Sequence, residues 1–145
     1  MKITTIFANN EKIPSKYTCD GENSAPELEI SDVPIDAKSL VLIVDDPDAP
    51  MGTWVHWLLY NIPVSITKID AKNLPQEAKQ GITDFGTVGW GGPCPPSGTH
   101  RYFFKLYAID KALELPEGAT KAQLENAIKD HIIEKAELIG LYKRK

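Results

Sequence analysis

Three stretches of this chain hold side chains able to handle protons or anions. "GGPCPPSGTHRYFF", Gly91 to Phe104, packs glycines and prolines ahead of His100 and Tyr102; "VDDPDAP", Val44 to Pro50, ends an apolar run in carboxylates; and "WVHWLLYNIP" carries His56 close to its start. Glycine lets a backbone approach a ligand closely, and proline lowers the entropy of the free loop. Gly92, Pro93, Pro95 and Pro96 therefore suit a rigid wall of backbone groups that ends at His100. Prolines also limit how the first loop relaxes, so Asp46 and Asp48, followed by Pro50, can be fixed against imidazole N–H groups and set their tautomers. A lone histidine on an apolar face is usually a satisfied core residue, and an aspartate at a strand exit is usually a turn former. Two histidines that each open a strand beside such a loop outweigh that reading. His131 has no comparable context and is assigned to structure.

The elements that must position these groups are mostly strands. β-branched and aromatic runs bounded by turn formers predict strands over Lys2 to Phe7, Ser39 to Asp45, Val55 to Ile62 and His100 to Ile109. Alternation puts His100, Tyr102, Phe104 and Leu106 on one face, and Trp54, His56, Leu58 and Tyr60 on one face, with Trp57 opposite His56 and filling the core. His56 and His100 are expected on adjacent strands, converging on one shallow pocket. In "TKAQLENAIKDHIIEKA", Thr120 as N-cap with Gln123 three residues on, then Leu124, Ala127, Ile128 and Ile132 at helical spacing, predicts an amphipathic helix packed on the sheet. The tail "ELIGLYKRK" reads as a last short strand whose basic end is solvated rather than functional. The fold class is mainly β, with one C-terminal amphipathic helix.

At 145 residues, the chain is read as one domain spanning 1–145, large enough to bury a core without staples. A net charge of −4 offers no general attraction to nucleic acid, and no segment has the length of a membrane span. The start "MKITTIFANNEKIP" lacks the pattern of a signal peptide, so the expected location is cytoplasmic. Cys19 and Cys94 are too few for a disulfide framework and are read as buried thiols; a bridge would need their two turn-rich loops to converge.

"DDPDAPMGTWVHW" and "GGPCPPSGTHRYFF", preceded by "YTCDGENSAPEL", resemble the phosphatidylethanolamine-binding proteins, chiefly their bacterial and archaeal Raf kinase inhibitor-like branch. "IPSKYTCDG", "SLVLIVDDPDAP", "HWLLYNIP", "TDFGTVGWGGPCPPSGTHRY" and "AELIGLY" follow the family's order almost end to end. The resemblance implies two antiparallel β-sheets in a β-sandwich with short helical additions, and a small surface pocket for phosphate or phosphoryl anions. By its pattern Asp46, Asp48 and Pro50 form the first pocket motif, His56 its downstream histidine, and Gly92, Pro93, Pro95, Pro96, His100 and Tyr102 the second. It also carries the expectation of a homodimer. The short loop between Pro96 and His100, and the lack of an extended helix past Tyr142, depart from the longer animal members and count against a kinase-inhibiting role.

The expected function is non-catalytic anion binding, in which His56, His100 and Tyr102 donate hydrogen bonds, Asp46 and Asp48 orient the donors, and no metal or other cofactor is needed. Affinity should rise as the histidines protonate. One alternative is a protein-interaction module of the protease- or kinase-inhibitor kind, with a protein target, although no reactive loop is identifiable. Another is a metal-dependent hydrolase using both histidines and both aspartates. Ser97 lies in a "PSG" turn without a nucleophile-elbow pattern, which leaves a serine hydrolase unsupported.

Overall fold

The computed structural model describes residues 1–145. Strand β4 (Ser39–Asp46) is buried at every position because both of its faces are covered, which is why it reads as a continuous apolar run and not as an alternation. It lies at the middle of a six-stranded sheet, flanked by β5 (Trp54–Ile62) and β8 (His100–Ile109). Beyond β8 come β9 (Ile132–Tyr142) and β2 (Glu11–Lys12), and beyond β5 comes β7 (Lys79–Gln80). A smaller sheet joins β1 (Lys2–Thr4), β3 (Leu28–Ser31) and β6 (Lys68–Ile69) in the order β1-β3-β6. All pairings are antiparallel except the short parallel contact of β2 with β9.

Two cores result. Between the sheets, Ile3, Leu28, Ile30 and Ile69 meet Leu40, Leu42, Val44, Trp57, Leu59, Phe104 and Leu106. On the other face of the large sheet, Val41, Ile43, Leu58, Tyr60 and Ile109 are covered by Leu124 and Ile128 of α1 (Lys121–Ile128). The predicted N-cap is present: Thr120 Oγ1 accepts the Gln123 N–H at 3.1 Å and the Gln123 side chain accepts the Thr120 N–H at 2.9 Å. No helix is long and apolar enough to cross a membrane.

Several expectations need correction. The helix ends at Ile128, and Ile132, placed on it by spacing, instead opens an eleven-residue strand. Pairing from Ile109↔Ile132 to His100↔Tyr142 satisfies far more backbone than one further helical turn would. His131 lies in the turn between them and bonds Asp110 at 2.7 Å, a structural role. β1 stops at Thr4, leaving Phe7 to pack its ring 5.8 Å from that of Phe104. Cys19 and Cys94 are not thiols but a disulfide, with Cα atoms 5.4 Å apart. Their loops do converge: Cys19 N–H donates to Pro93 O at 3.1 Å and Gly92 N–H to Asn23 Oδ1 at 2.9 Å.

Candidate functional site

His56 and His100 are not on neighbouring strands, since β4 runs between β5 and β8. They meet because β4 ends there, and its last residue, Asp46, stands between their strand starts. The result is a cavity of about 230 Å³ lined by Asp46, Pro50, His56, Pro95, Pro96, His100 and Tyr102, with Ala49, Trp54, Phe85 and Cys94 added.

A β-bulge is what brings His56 in. The β4–β5 register steps from Val44↔Trp57 to Asp45↔Val55, so His56 is an extra residue on β5. Alternation therefore breaks at this point. Val55, Leu58 and Tyr60 face the helix side and Trp57 faces the other core, while the His56 ring sits edge-on to Tyr102 at 5.1 Å. The face predicted for His56, shared with Leu58 and Tyr60, is thus wrong, and Trp57, although core, is not on the opposite side from it.

Both imidazoles are held by Nδ1. His56 Nδ1 is 2.6 Å from Gly91 O, a group that can only accept, so Nδ1 carries the proton. Gly91 N–H in turn donates to His56 O at 2.9 Å. A Cβ at Gly91 would lie 2.3 Å from the Phe85 ring, so glycine is what allows Phe85 to cover this contact. His100 Nδ1–H donates to Asp46 Oδ2 at 2.7 Å, and Asp46 Oδ1 accepts the Asp48 N–H at 2.7 Å. Burial holds His56 below the ordinary imidazole pKa, against the raising influence of Gly91 O and Asp46. Burial, reinforced by the Asp46 and Asp48 charges, pushes the Tyr102 phenol well up, so it remains an O–H donor.

Adjacent carboxylates have separate tasks. Asp45 turns to the helix side, where Lys105 (3.1 Å) and Lys121 (2.8 Å) meet it and fasten the start of α1. Asp46 orients His100 as expected. Asp48 does not orient an imidazole: it takes the Arg101 guanidinium in two bonds, 2.9 and 2.8 Å, and the Arg101 N–H at 2.9 Å, which ties the loop to the start of β8. Arg101 holds the Asp48 carboxyl down to about 2 from 3.8, so this tie is complete above the ordinary value and is lost only as pH falls toward the lower one. With Asp48 spent, no group of three or more His, Cys, Asp and Glu side chains is arranged to hold a metal.

Gly92 and Pro93 are also absent from the lining. They stand behind the wall, where a Cβ at Gly92 would meet Asn23 Oδ1 at 2.1 Å and Tyr17 O at 2.5 Å. Gly92→Ala is expected to lose about 1–3 kcal/mol of stability by overpacking against backbone, read from denaturant unfolding of the oxidised protein. Phe85 and Trp54, which sequence reasoning missed, contact each other edge-on at 5.5 Å and form the apolar side of the cavity. Phe85 sits in "TDFGTVGWGG", and its aromatic character beside glycines was the available signal. A larger cleft of about 460 Å³, beside the small sheet, is lined by Lys16, Lys72, Glu27, Glu29 and Asp70 among others, and has no imidazole.

A family model for phosphatidylethanolamine-binding protein matches residues 3–143. A UPF0098 protein of Methanothermobacter thermautotrophicus is 51% identical over 146 residues, covering 97% of each chain, and one of Pyrococcus horikoshii is 47% identical, covering all of this chain and 77% of the relative. The crystal structure of the Chlamydia trachomatis phosphatidylethanolamine-binding protein homologue CT736 superposes with a TM-score of 0.94 at 43% identity, covering 99% of this chain and 97% of that one. Escherichia coli YbcL, described as a member of the mammalian family, gives 0.91 at 32% identity, covering 99% and 98%. With its fold, its two motif loops and nearly its whole length matched in this way, the chain belongs to the phosphatidylethanolamine-binding protein family.

Proposed function

We propose that the protein binds a phosphate or phosphoryl-type anion in this cavity, takes up protons as it does so, and performs no chemistry on it. The observation that carries the reading is the commitment of both Nδ1–H groups, to Gly91 O and to Asp46. Each ring then offers only Nε2 to the cavity, and a neutral ring offers it as a lone pair. Neutral rings would repel an anion. Protonation turns both Nε2 atoms into donors beside the Tyr102 O–H, and the anion supplies the charge that makes protonation of buried His56 favourable. Phe85, Trp54 and the prolines exclude water on the other side, which strengthens these few bonds. Ser97 is exposed at its loop tip, so the cavity lacks a serine nucleophile.

The sign of the pH dependence follows. Burial disfavours charged His56 in the free protein, so at alkaline pH the pocket is neutral at that ring and binding must wait for a proton. Anion affinity is expected to rise about tenfold per pH unit for each proton taken up as pH falls from about 8 to about 6. Calorimetric titration with inorganic phosphate and, separately, with sulfate checks this; sulfate stays a dianion across the range, so any pH dependence with it belongs to the protein. Affinity for sulfate that is flat, or that improves toward alkaline pH, would overturn the reading.

A further inference from the structure

On the far side of His100 lies a second cleft, of about 490 Å³. Lys12, Lys143, Arg144 and Lys145 line it with Thr99, and Glu11 is its one acidic side chain. The whole chain carries a net charge of −4, so this is a local reversal of sign. Arg144 pairs with Asp20 at 3.3 Å, whereas Lys12, Lys143 and Lys145 are absent from every ion pair in the molecule.

The basic segment is anchored. Asp20 accepts the Tyr142 O–H at 2.6 Å and the Arg144 Nε–H at 3.3 Å. Asp20 follows Cys19, whose disulfide partner Cys94 lines the histidine cavity. Tyr142 is the cross-strand partner of His100, so Lys143 continues past the strand end at which His100 begins. Thr99 lines the cleft and His100 lines the cavity. Neighbouring residues therefore separate the two basins, and one carboxylate holds the basic wall in place beside them.

We propose that the basic cleft is a second anion subsite, and that the ligand is a small compound with two anionic groups: a phosphoryl group at His56, His100 and Tyr102, and a second phosphate or carboxylate at Lys12, Lys143 and Lys145. This rests on the reading of the histidine cavity as an anion site. Ammonium groups are compact charges with rotatable donors and accept either kind of anion. A single exposed ion contact gains little in water. Attached to a group already held next door, the second anion binds as an intramolecular partner, and the weak contact becomes a measurable gain. Because the lysines are exposed, salt should erode that gain more than it erodes binding in the enclosed cavity.

The test compares methyl phosphate with a series of alkane-α,ω-bisphosphates of increasing length, titrated at fixed ionic strength. It uses the unmodified protein and a Lys12→Ala/Lys143→Ala/Lys145→Ala variant, whose substitutions lie on the surface and leave both cores intact. At the matching length a bisphosphate is expected to bind about tenfold tighter than methyl phosphate to the unmodified protein, and about equally to the variant, with methyl phosphate affinity the same for both proteins. Methyl phosphate binding without a bisphosphate advantage, or an advantage that survives in the variant, overturns the second subsite and leaves the first untouched. If neither compound binds the unmodified protein, the cavity reading falls and this inference falls with it.

Discussion

His100→Ala is expected to weaken phosphate binding by at least about a hundredfold, since it removes one of the charged donors of the cavity and leaves no substitute within reach. His100 also has a share in stability, because its Nδ1–H is one of two donors to the buried Asp46 carboxylate. Its loss is expected to cost about 1–3 kcal/mol as well, the penalty for a buried acceptor left partly unmade. Thermal melting and phosphate titration by imidazole NMR, run on the same sample well below the melt, separate the two effects. A folded His100→Ala protein that takes up phosphate like the unmodified one would make this histidine a structural residue only.

Trp57→Ala should act in the opposite way, on stability and not on the anion. Trp57 is fully buried in the core between the sheets, its ring edge-on to Trp90 at 5.6 Å and its Nε1–H bonded to Gln80 Oε1 at 2.9 Å. Truncation should cost about 3–5 kcal/mol, through the cavity left behind and the lost hydrogen bond. For a chain of this size that corresponds to a fall in Tm of roughly 10 °C or more. Trp57 is absent from the cavity lining, so the folded fraction should keep its phosphate affinity. A melt within a few degrees of the unmodified protein would mean that the core repacks around the loss.

The long strands and the histidines were legible because local pattern and tertiary environment agree. β4, β5 and β8 are apolar enough to read as strands under any partner arrangement, and the Thr120 cap is a contact between near neighbours in sequence. Pairing was not legible. Nothing local tells Asp48 that its partner is Arg101, or Cys19 that its loop will meet Cys94, since each contact depends on how distant segments come together. β9 was misread because Leu124, Ile128 and Ile132 satisfy a helical period while Ile132 and Ile133 equally suit a strand, and only the presence of β8 decides between them. β2, β6 and β7 hold two residues each and carry no periodicity at all.

The extra residue on β5 also bears on how this segment can vary. Since the strand gains one position between its pairing with Val44 and its pairing with Asp45, His56 reaches Tyr102 through the number of residues laid down, and not through the identity of the flanking side chains. Trp54 and Val55 could be exchanged for residues of similar bulk without turning the histidine away. Losing a single residue there would remove the bulge and restore strict alternation: without Val55, His56 would take its place opposite Asp45 and turn to the helix side, away from Tyr102. Length is therefore the inherited constraint at this strand start, and natural variants of the segment should differ by substitution and not by insertion or deletion.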